Sequence, residues 1–294
     1  MSLNLFTPSD FPDYELIDSG SFEKLERFGK YILIRPEPQA VWNKSLEESE
    51  WEKLCNARFR KEKHNPDKGE WVLKKGMPQQ WMTTYSYKEM SFTMRLGLTS
   101  FRHIGIFPEQ SDNWNFIYNQ SLSNPLPEKK VLNLFAYTGG ASLAAKAGGA
   151  EVIHVDSVKP VVTWARENME ASGLKDIRWV VEDALKFVQR EVRRGNIYHG
   201  IIMDPPAYGR GPDGEKWLLE EHINEMTRLC SELLAPNNSF LVMNLYSMGF
   251  SALILDNLVN SYFTGEKKQE IGELYLGDSF KKRLPLGVVL RFSR

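Results

Sequence analysis

The sequence predicts an α/β fold: a mostly parallel, doubly wound sheet that ends in an antiparallel hairpin, preceded by a small α+β domain. Three observations predict it. From about residue 130 onward, apolar runs and helix-forming runs alternate at short spacing, the pattern of parallel strands joined by crossover helices. Near the C-terminus two apolar runs follow each other across a loop too short for a crossover, which demands an antiparallel pair. Before residue 121 the regular alternation is missing. At roughly 150 residues per domain, a chain of 294 residues holds two.

In the N-terminal part, Tyr31-Ile32-Leu33-Ile34 and Phe92-Thr93-Met94-Arg95-Leu96 read as strands among aromatic-rich and charged segments. We expect a small α+β domain over 1–120, a candidate for substrate binding. Ser121-Leu122-Ser123-Asn124-Pro125-Leu126-Pro127, two prolines among small polar residues, reads as a linker opening a second domain over 121–294. There the strands are Val131 to Phe135, Val152 to Val155, Ile177 to Val181, Gly200 to Met203 and Phe240 to Met243. The helices are Ala141 to Ala147, Pro160 to Ser172, Ala184 to Arg193, about Lys216 to Leu234 and about Ser251 to Asn260. Glu270 to Leu276 and Leu286 to Phe292 form the closing hairpin. Such a sheet matches the class I methyltransferase Rossmann-like fold better than a dinucleotide-binding dehydrogenase, which continues with a parallel sixth strand.

Composition narrows the function classes. The chain is 42% hydrophobic and 26% charged, an ordinary globular balance. Its 37 Lys+Arg against 38 Asp+Glu leave a net charge of -1, so nothing global argues for nucleic acid or membrane binding. Two cysteines, Cys55 and Cys230, with no CxxC, argue against a disulfide framework and a cysteine-based zinc site. The first twenty residues lack a basic and an apolar signal region, and no apolar stretch approaches the ~18 residues of a membrane span. The expected setting is cytoplasmic, without metal or membrane partners; the oligomeric state stays open.

In a doubly wound sheet, ligands sit beyond the carboxyl ends of the strands. Four turns stand there. Phe135-Ala136-Tyr137-Thr138-Gly139-Gly140-Ala141-Ser142 has the small residues that let a backbone approach a ligand and aim helix amides at it. The GxGxxG spacing is absent, with Phe135 and Tyr137 where early glycines would fall, which disfavours a pyrophosphate and admits a methionine-type ligand. A tight turn for packing alone is the alternative. At the second turn, Asp156-Ser157 offers a carboxylate that can accept both ribose hydroxyls or cap the following helix. At the third, Glu182-Asp183-Ala184, Asp183 can accept from an adenine amino group or serve as an N-cap. The fourth is Asp204-Pro205-Pro206-Ala207-Tyr208-Gly209-Arg210-Gly211. Its prolines fix φ and remove two donors, leaving the Asp204 carboxylate and Pro205 carbonyl as an acceptor-only edge suited to an exocyclic amine on a base. Tyr208 is placed to stack on that base. A rigid loop that merely contains Asp is the alternative.

The run Val131-Leu132-Asn133-Leu134-Phe135-Ala136-Tyr137-Thr138-Gly139-Gly140, followed by Asp204-Pro205-Pro206, resembles the catalytic domain of the bacterial ribosomal RNA methyltransferases that modify 23S RNA at cytosine C5, guanine N7 and guanine N2. The resemblance spans about 90–294. Upstream, Gly105-Ile106-Phe107-Pro108-Glu109-Gln110-Ser111-Asp112-Asn113 is similar to a segment lying near the cofactor in that family; Gln110 and Asn113 carry over, and Ser111 replaces an arginine. The resemblance implies S-adenosylmethionine as cofactor. It places Phe135, Ala136, Tyr137, Thr138, Gly139, Ala141, Asp156, Ser157, Asp183, Ala184 and Asp204 against it, with Asp204 nearest the transferred methyl.

Two departures shape the expected substrate. Attack through cytosine C5 needs a cysteine nucleophile, and neither Asp204-Pro205-Pro206-Ala207 nor Met243-Asn244-Leu245-Tyr246-Ser247-Met248 contains one. A base nitrogen in RNA, without a covalent cysteine intermediate, is the expected acceptor. The N-terminal domain matches neither of the RNA-binding PUA and THUMP modules. Its basic run, Arg58-Phe59-Arg60-Lys61-Glu62-Lys63-His64, lies among Trp42, Trp51, Trp71 and Trp81, but residues 1–130 carry 18 basic and 18 acidic side chains, so a solvated face explains it equally. Lys281-Lys282-Arg283 has the same two readings, and so does Arg210, which its flanking glycines mark as a candidate gate. The histidines His64, His103, His154, His199 and His222 are scattered; only His103 lies near a cofactor segment. A protein or small-molecule methyltransferase, a silent cofactor-binding scaffold and a nicotinamide oxidoreductase are the competing readings.

Overall fold

The computed structural model describes residues 3–8, 10–62, 68–246 and 249–294. Lys63 and His64 of the basic run, and Ser247 and Met248 after the fifth predicted strand, lie outside the described residues. The chain forms two compact units. The larger comprises Met1–Phe6, Asp112–Leu274 and Gly287–Arg294, the smaller Thr7–Ser111 and Tyr275–Leu286.

After β1 (Asn4–Phe6), the smaller unit opens with β2 (Tyr14–Gly20), β3 (Glu23–Phe28) and β4 (Tyr31–Pro36), then α1 (Glu48–Leu54), β5 (Ala57–Lys61) and β6 (Gly69–Leu73). Strands β2 to β6 make one sheet in chain order, and β7 (Gln80–Tyr87) pairs antiparallel with β8 (Met90–Gly97). The strands expected at Tyr31 and Phe92 are β4 and β8. Leu25, Ile34, Trp51 and Cys55 form a core beneath α1. Asp18 is fully buried there, accepting from the Leu46 amide and Trp51 Nε1, both at 2.9 Å, and from Lys282 Nζ at 2.7 Å. With a single seven-residue α-helix before the 3-10 turn Pro108–Gln110, the unit is richer in β than the sequence suggests.

The larger unit resumes at Asp112 within α2 (Ser111–Ser123), which includes Ser121 to Ser123; the loop with Pro125 and Pro127 leads to β9 (Lys130–Leu134). There follow α3 (Gly140–Ala147), β10 (Glu151–Asp156), α4 (Lys159–Ala171), β11 (Ile177–Val181), α5 (Ala184–Arg193) and β12 (Gly200–Met203). Next come β13 (Tyr208–Arg210), β14 (Lys216–Leu218), α6 (Leu219–Leu233), β15 (Phe240–Leu245), α7 (Ala252–Tyr262), β16 (Lys268–Gly277) and β17 (Arg283–Ser293). The sheet order is β1-β16-β17-β15-β12-β9-β10-β11. β15, β12, β9, β10 and β11 are parallel, and β17 turns antiparallel to β15. β16 and β17 are neighbours joined by residues 278–282, a span that only an antiparallel hairpin can make.

The central strands read as unbroken apolar runs because helices cover both faces: β12 and β15 are buried at every residue. Gly200 opens β12 because a Cβ there would stand 2.4 Å from the Phe240 ring. α5 starts where the Asp183 carboxylate accepts the Lys186 amide at 2.9 Å, the N-cap geometry that satisfies an orphan donor. It buries Ala184, Phe187 and Val188 on one face and ends with Arg190 and Arg193 at the negative end of its dipole. One expectation fails locally: Lys216 to Leu218 is a strand pairing antiparallel with Tyr208 to Arg210, and the helix starts only at Leu219. Three residues are too few for alternation to register, and the acidic pair Glu220-Glu221 marks the true first turn of α6.

Candidate active site

Parallel register brings the four predicted turns to one edge. Leu134 at the end of β9 pairs with Val155 of β10 and with Met203 of β12; Asp156 pairs with Val181 of β11, and Met203 with Met243 of β15. The residues at or just beyond these ends, Phe135, Asp156, Glu182, Asp183 and Asp204, therefore emerge at a common carboxyl edge. The order β11-β10-β9-β12-β15 reverses direction between β9 and β12, so the turns after Leu134 and Met203 flank the switch point where such sheets bind ligands.

The first of these turns is held in an unusual backbone state. Phe135 and Tyr137 have φ of 55° and 50°, and Gly139 of 94°. Left-handed conformations cost a bulky L-residue about 1–2 kcal/mol, and neighbouring groups impose them here. The Ala136 amide donates to the Val155 carbonyl at 3.1 Å, the Tyr137 amide to Asp156 Oδ2 at 2.9 Å, and Asn168 Nδ2 to the Thr138 carbonyl at 2.9 Å. Gly139 is the N-cap of α3, and the next glycine sits so close to Trp114 that a Cβ on Gly140 would meet the indole at 2.8 Å. The first-turn amides of α3, Ala141 among them, start from this turn and lack intrahelical acceptors. Beneath it, Asn133 Nδ2 donates to Ser142 Oγ at 2.9 Å, and Ser142 Oγ meets His154 Nδ1 at 3.0 Å. Burial drives His154 down to about 3, so its neutral ring is a packing element against Trp179.

Asp156 ties two turns together: its other oxygen accepts the Val158 amide at 2.9 Å. Burial raises its pKa despite these amides, and each oxygen keeps lone-pair capacity for a further donor. Ser157 beside it is half-buried, and Val158 and Val181 present exposed apolar side chains. Asp183 is the cap of α5, with Ala184 buried as the first helical residue; Glu182 is ion-paired with Arg190.

Asp204 differs from the other acids. It is half-buried, and neither its carboxylate nor the Pro205 carbonyl meets a hydrogen-bond donor or ion-pair partner among the described residues. Burial alone pushes the Asp204 carboxyl up to about 6. The next carbonyl is treated differently: Pro206 accepts from Trp217 Nε1 at 2.7 Å. Trp217, which sequence reasoning missed, is 3% exposed. Its ring packs on Phe135 at 4.8 Å between centroids and stacks on His222 at 5.5 Å. It joins the Phe135 turn to the turn of Asp204 to Pro206 through the hairpin β13–β14. That hairpin is further held by the Leu219 amide on the Ala207 carbonyl at 3.0 Å and a Lys186–Glu215 ion pair. The only sequence signal for Trp217 was a tryptophan soon after the prolines. Tyr208 is exposed and its hydroxyl accepts from Arg210 Nε at 2.8 Å, so Arg210 is engaged beside the edge.

The remaining candidates divide between the units. In the larger, Asn113 is buried on α2, donating to Asn244 Oδ1 at 3.2 Å and accepting from Arg291 Nη1 at 3.2 Å. In the smaller, Gln110 is half-buried in the 3-10 turn and His103 is driven by burial to about 3, its ring against Phe107. His199 Nδ1 accepts the Lys130 amide. Cys230 is fully buried, 3.5 Å from Met203 Sδ, and Cys55 is buried in the smaller unit's core. Among the described residues no three His, Cys, Asp or Glu side chains gather to hold a metal ion, and no helix is long and apolar enough to cross a membrane.

These donors and acceptors fit S-adenosylmethionine. The chemistry of the set decides this: Asp156 and Asp183 can take ribose and adenine donors, and the Asp204 carboxylate, which has no partner among the described residues, suits a cationic sulfonium.

Comparison with known proteins agrees. Residues 54–260 match the family model described as S-adenosylmethionine-dependent methyltransferase. The chain is similar to the SAM-dependent methyltransferase from Agrobacterium tumefaciens, at 36% identity and a TM-score of 0.91, covering 100% of this chain and 94% of that one. It is also similar to ribosomal RNA large subunit methyltransferase K/L of Shewanella frigidimarina, 29% identical over 161 residues, which are 53% of this chain and 22% of that protein. A third relative is ribosomal RNA large subunit methyltransferase I of Aeromonas salmonicida, 31% identical over 142 residues, 47% of this chain and 34% of that protein. The chain thus spans about a third or less of the length of these two relatives. Fold, site and family model agree: the chain belongs to the S-adenosylmethionine-dependent methyltransferases.

Proposed function

We propose that the enzyme methylates a nitrogen on a base of RNA, with 23S ribosomal RNA in the cytoplasm as the substrate, by in-line displacement with no covalent cysteine intermediate. The observation that carries this reading is the acceptor pair at the switch point, the Asp204 carboxylate and Pro205 carbonyl, desolvated and without donors of their own among the described residues. Such a pair accepts the two hydrogens of an exocyclic amine and leaves the nitrogen lone pair facing the cofactor side. The two ribosomal RNA methyltransferases, matched over about half of this chain, support the RNA class.

When bound, S-adenosylmethionine supplies a methyl group on a positively charged sulfur. The chain contributes orientation, which in well-aligned systems supplies roughly 7–11 kcal/mol. Asp156, with the Phe135 to Ala141 turn, holds the nucleoside part, and Asp183 and Ala184 border the adenine. Asn113 completes the cofactor set of the larger unit in this reading, Pro206 stiffens the edge, and Tyr208 stacks on the base. The ionised Asp204 carboxylate accepts the amine hydrogens and is placed to take the proton the nitrogen sheds. A covalent route through a cytosine ring carbon lacks its nucleophile: burial raises the pKa of both Cys230 and Cys55, and a protonated, enclosed thiol does not attack.

The test is transfer of labelled methyl to total RNA from a strain lacking the gene, followed by mass mapping of the modified nucleotide. We expect one methylated base, at a nitrogen, in 23S RNA. Label appearing in protein or a small amine and absent from RNA would overturn the substrate while leaving the methyltransferase assignment intact.

A further inference from the structure

The smaller unit carries a groove that the methyl-transfer site does not use. It is a shallow depression open to solvent, beside the β2–β3 turn and β5, of about 330 Å³, with Phe22, Pro36, Arg58, Arg60 and Lys61 in its lining together with Glu23, whose carboxylate is taken up by Arg58. We infer that this groove binds single-stranded RNA, with a base on the Phe22 ring and the backbone phosphates on Arg60 and Lys61. The inference rests on the RNA reading above and assigns part of that substrate to the smaller unit.

The turn itself is the first argument. Ser21 and Phe22 both have positive φ, 51° and 64°, the arrangement that two-residue hairpin turns normally fill with Asn-Gly. A phenylalanine there is strained, yet the residue is 57% exposed, so burial does not compensate the strain. The turn is also fixed. The Ser21 amide donates to the Trp42 carbonyl at 2.6 Å, the Phe22 amide to the Ala40 carbonyl at 2.8 Å, and the Glu37 amide to the Phe22 carbonyl at 2.8 Å. A rigid backbone therefore presents an aromatic face to solvent. That suits stacking, in which any base is accepted.

Charge supplies the second argument. Arg58 is already neutralised by Glu23, Glu48 and Glu52. Arg60 and Lys61, next on β5, are exposed, and no carboxylate among the described residues lies within ion-pair distance of either. Two unpaired cations beside one exposed ring match a nucleotide's phosphate and base. An acidic protein segment would satisfy the cations and leave the ring without a partner.

The experiment is fluorescence anisotropy of the full-length protein with a labelled twelve-nucleotide RNA, as a function of salt, for wild type, Phe22→Gly and Arg60→Ala/Lys61→Ala. Phe22→Gly relieves the turn, so its melting temperature rises while RNA affinity falls at least about fivefold, the low end of a lost stacking contact. The double variant weakens binding and flattens the log–log salt slope by about 1.4, as two released phosphate contacts on a single strand require. Wild-type affinity and slope in both variants overturn the groove. If wild type methylates RNA and the variants bind it unchanged, the groove fails and the substrate reading stands. If wild type neither binds nor methylates RNA, both fail.

Discussion

Replacing Asp204 by asparagine makes the enzyme more stable and nearly inactive, and the structure gives the size of both effects. The carboxyl is raised to about 6 by burial, with no hydrogen bond or ion pair among the described residues to offset it. Against an unfolded value of about 3.9, that rise means the folded state disfavours the ionised carboxylate by about 3 kcal/mol. Because the folded pKa lies above the unfolded one, the folded state binds more protons between about pH 4 and 6. Stability is therefore lost as pH climbs through that window, and the loss is complete at about pH 7. The Asp204→Asn side chain carries no charge and escapes this loss, though its amide remains a buried polar group without partners, costing about 1–2 kcal/mol. The net gain near neutral pH is about 1–2 kcal/mol, a melting rise of roughly 2–8 °C in a protein of this size; at about pH 4, where the wild-type carboxyl is uncharged too, only the cost of the amide, about 1–2 kcal/mol, remains and the gain becomes a loss. Methyl transfer falls by about 10²–10⁴, the range for losing a positioned proton acceptor. In the wild type, kcat falls as pH drops below about 6. Scanning calorimetry at neutral and at acidic pH, with methyl transfer followed across the window, reads all of this. A D204N enzyme that melts at or below the wild type at neutral pH, or that retains its turnover, refutes the claim that an unpaired desolvated carboxylate drives the reaction.

Two further substitutions test the parts around that edge. Asp156→Ala orphans the Tyr137 and Val158 amides, so S-adenosylmethionine affinity by calorimetry falls at least about tenfold, and the protein loses about 1–3 kcal/mol of stability; unchanged affinity would remove Asp156 from the cofactor site. Trp217→Phe keeps an aromatic ring against Phe135 but deletes the donor to the Pro206 carbonyl. Stability drops by about 1 kcal/mol and kcat by about tenfold, with KM for the cofactor little changed, whereas Trp217→Ala costs about 3–5 kcal/mol. Equal kinetics in Trp217→Phe and wild type would reduce Trp217 to packing.

The parallel half of the fold was legible because its signals are local. A strand such as β12 is apolar at four consecutive positions and fully buried, and α5 announces its start with Asp183. What stayed hidden depends on partners far away in sequence. Asn4–Phe6 is too short to read as a strand and becomes one by pairing with Gly272 to Leu274. The hairpin of β13 and β14 has three residues a side and takes its stability from Trp217 reaching back to Pro206. Cations were the hardest to read: Arg58 and Lys282 belong to local basic runs, yet acids at Glu23, Glu48, Glu52 and Asp18 absorb them. Sequence spacing shows where like charges cluster, and only the fold shows which are already neutralised.

The same contrast separates the acids at the carboxyl edge, which look alike in sequence. Asp156 spends both oxygens on backbone amides and thereby imposes positive φ on Tyr137; Asp183 spends one on a helix cap; Glu182 is consumed by Arg190. Each of these contacts gives the protein something in the absence of any ligand. Asp204 has none of them among the described residues, and burial works against its charge. A fold under selection for stability alone would not place it there, since an amide or an apolar group costs less at that position. Its presence at the switch point, beside a carbonyl that is also without a donor, calls for a partner bearing hydrogens to share. An amine approaching the methyl donor is the partner we propose.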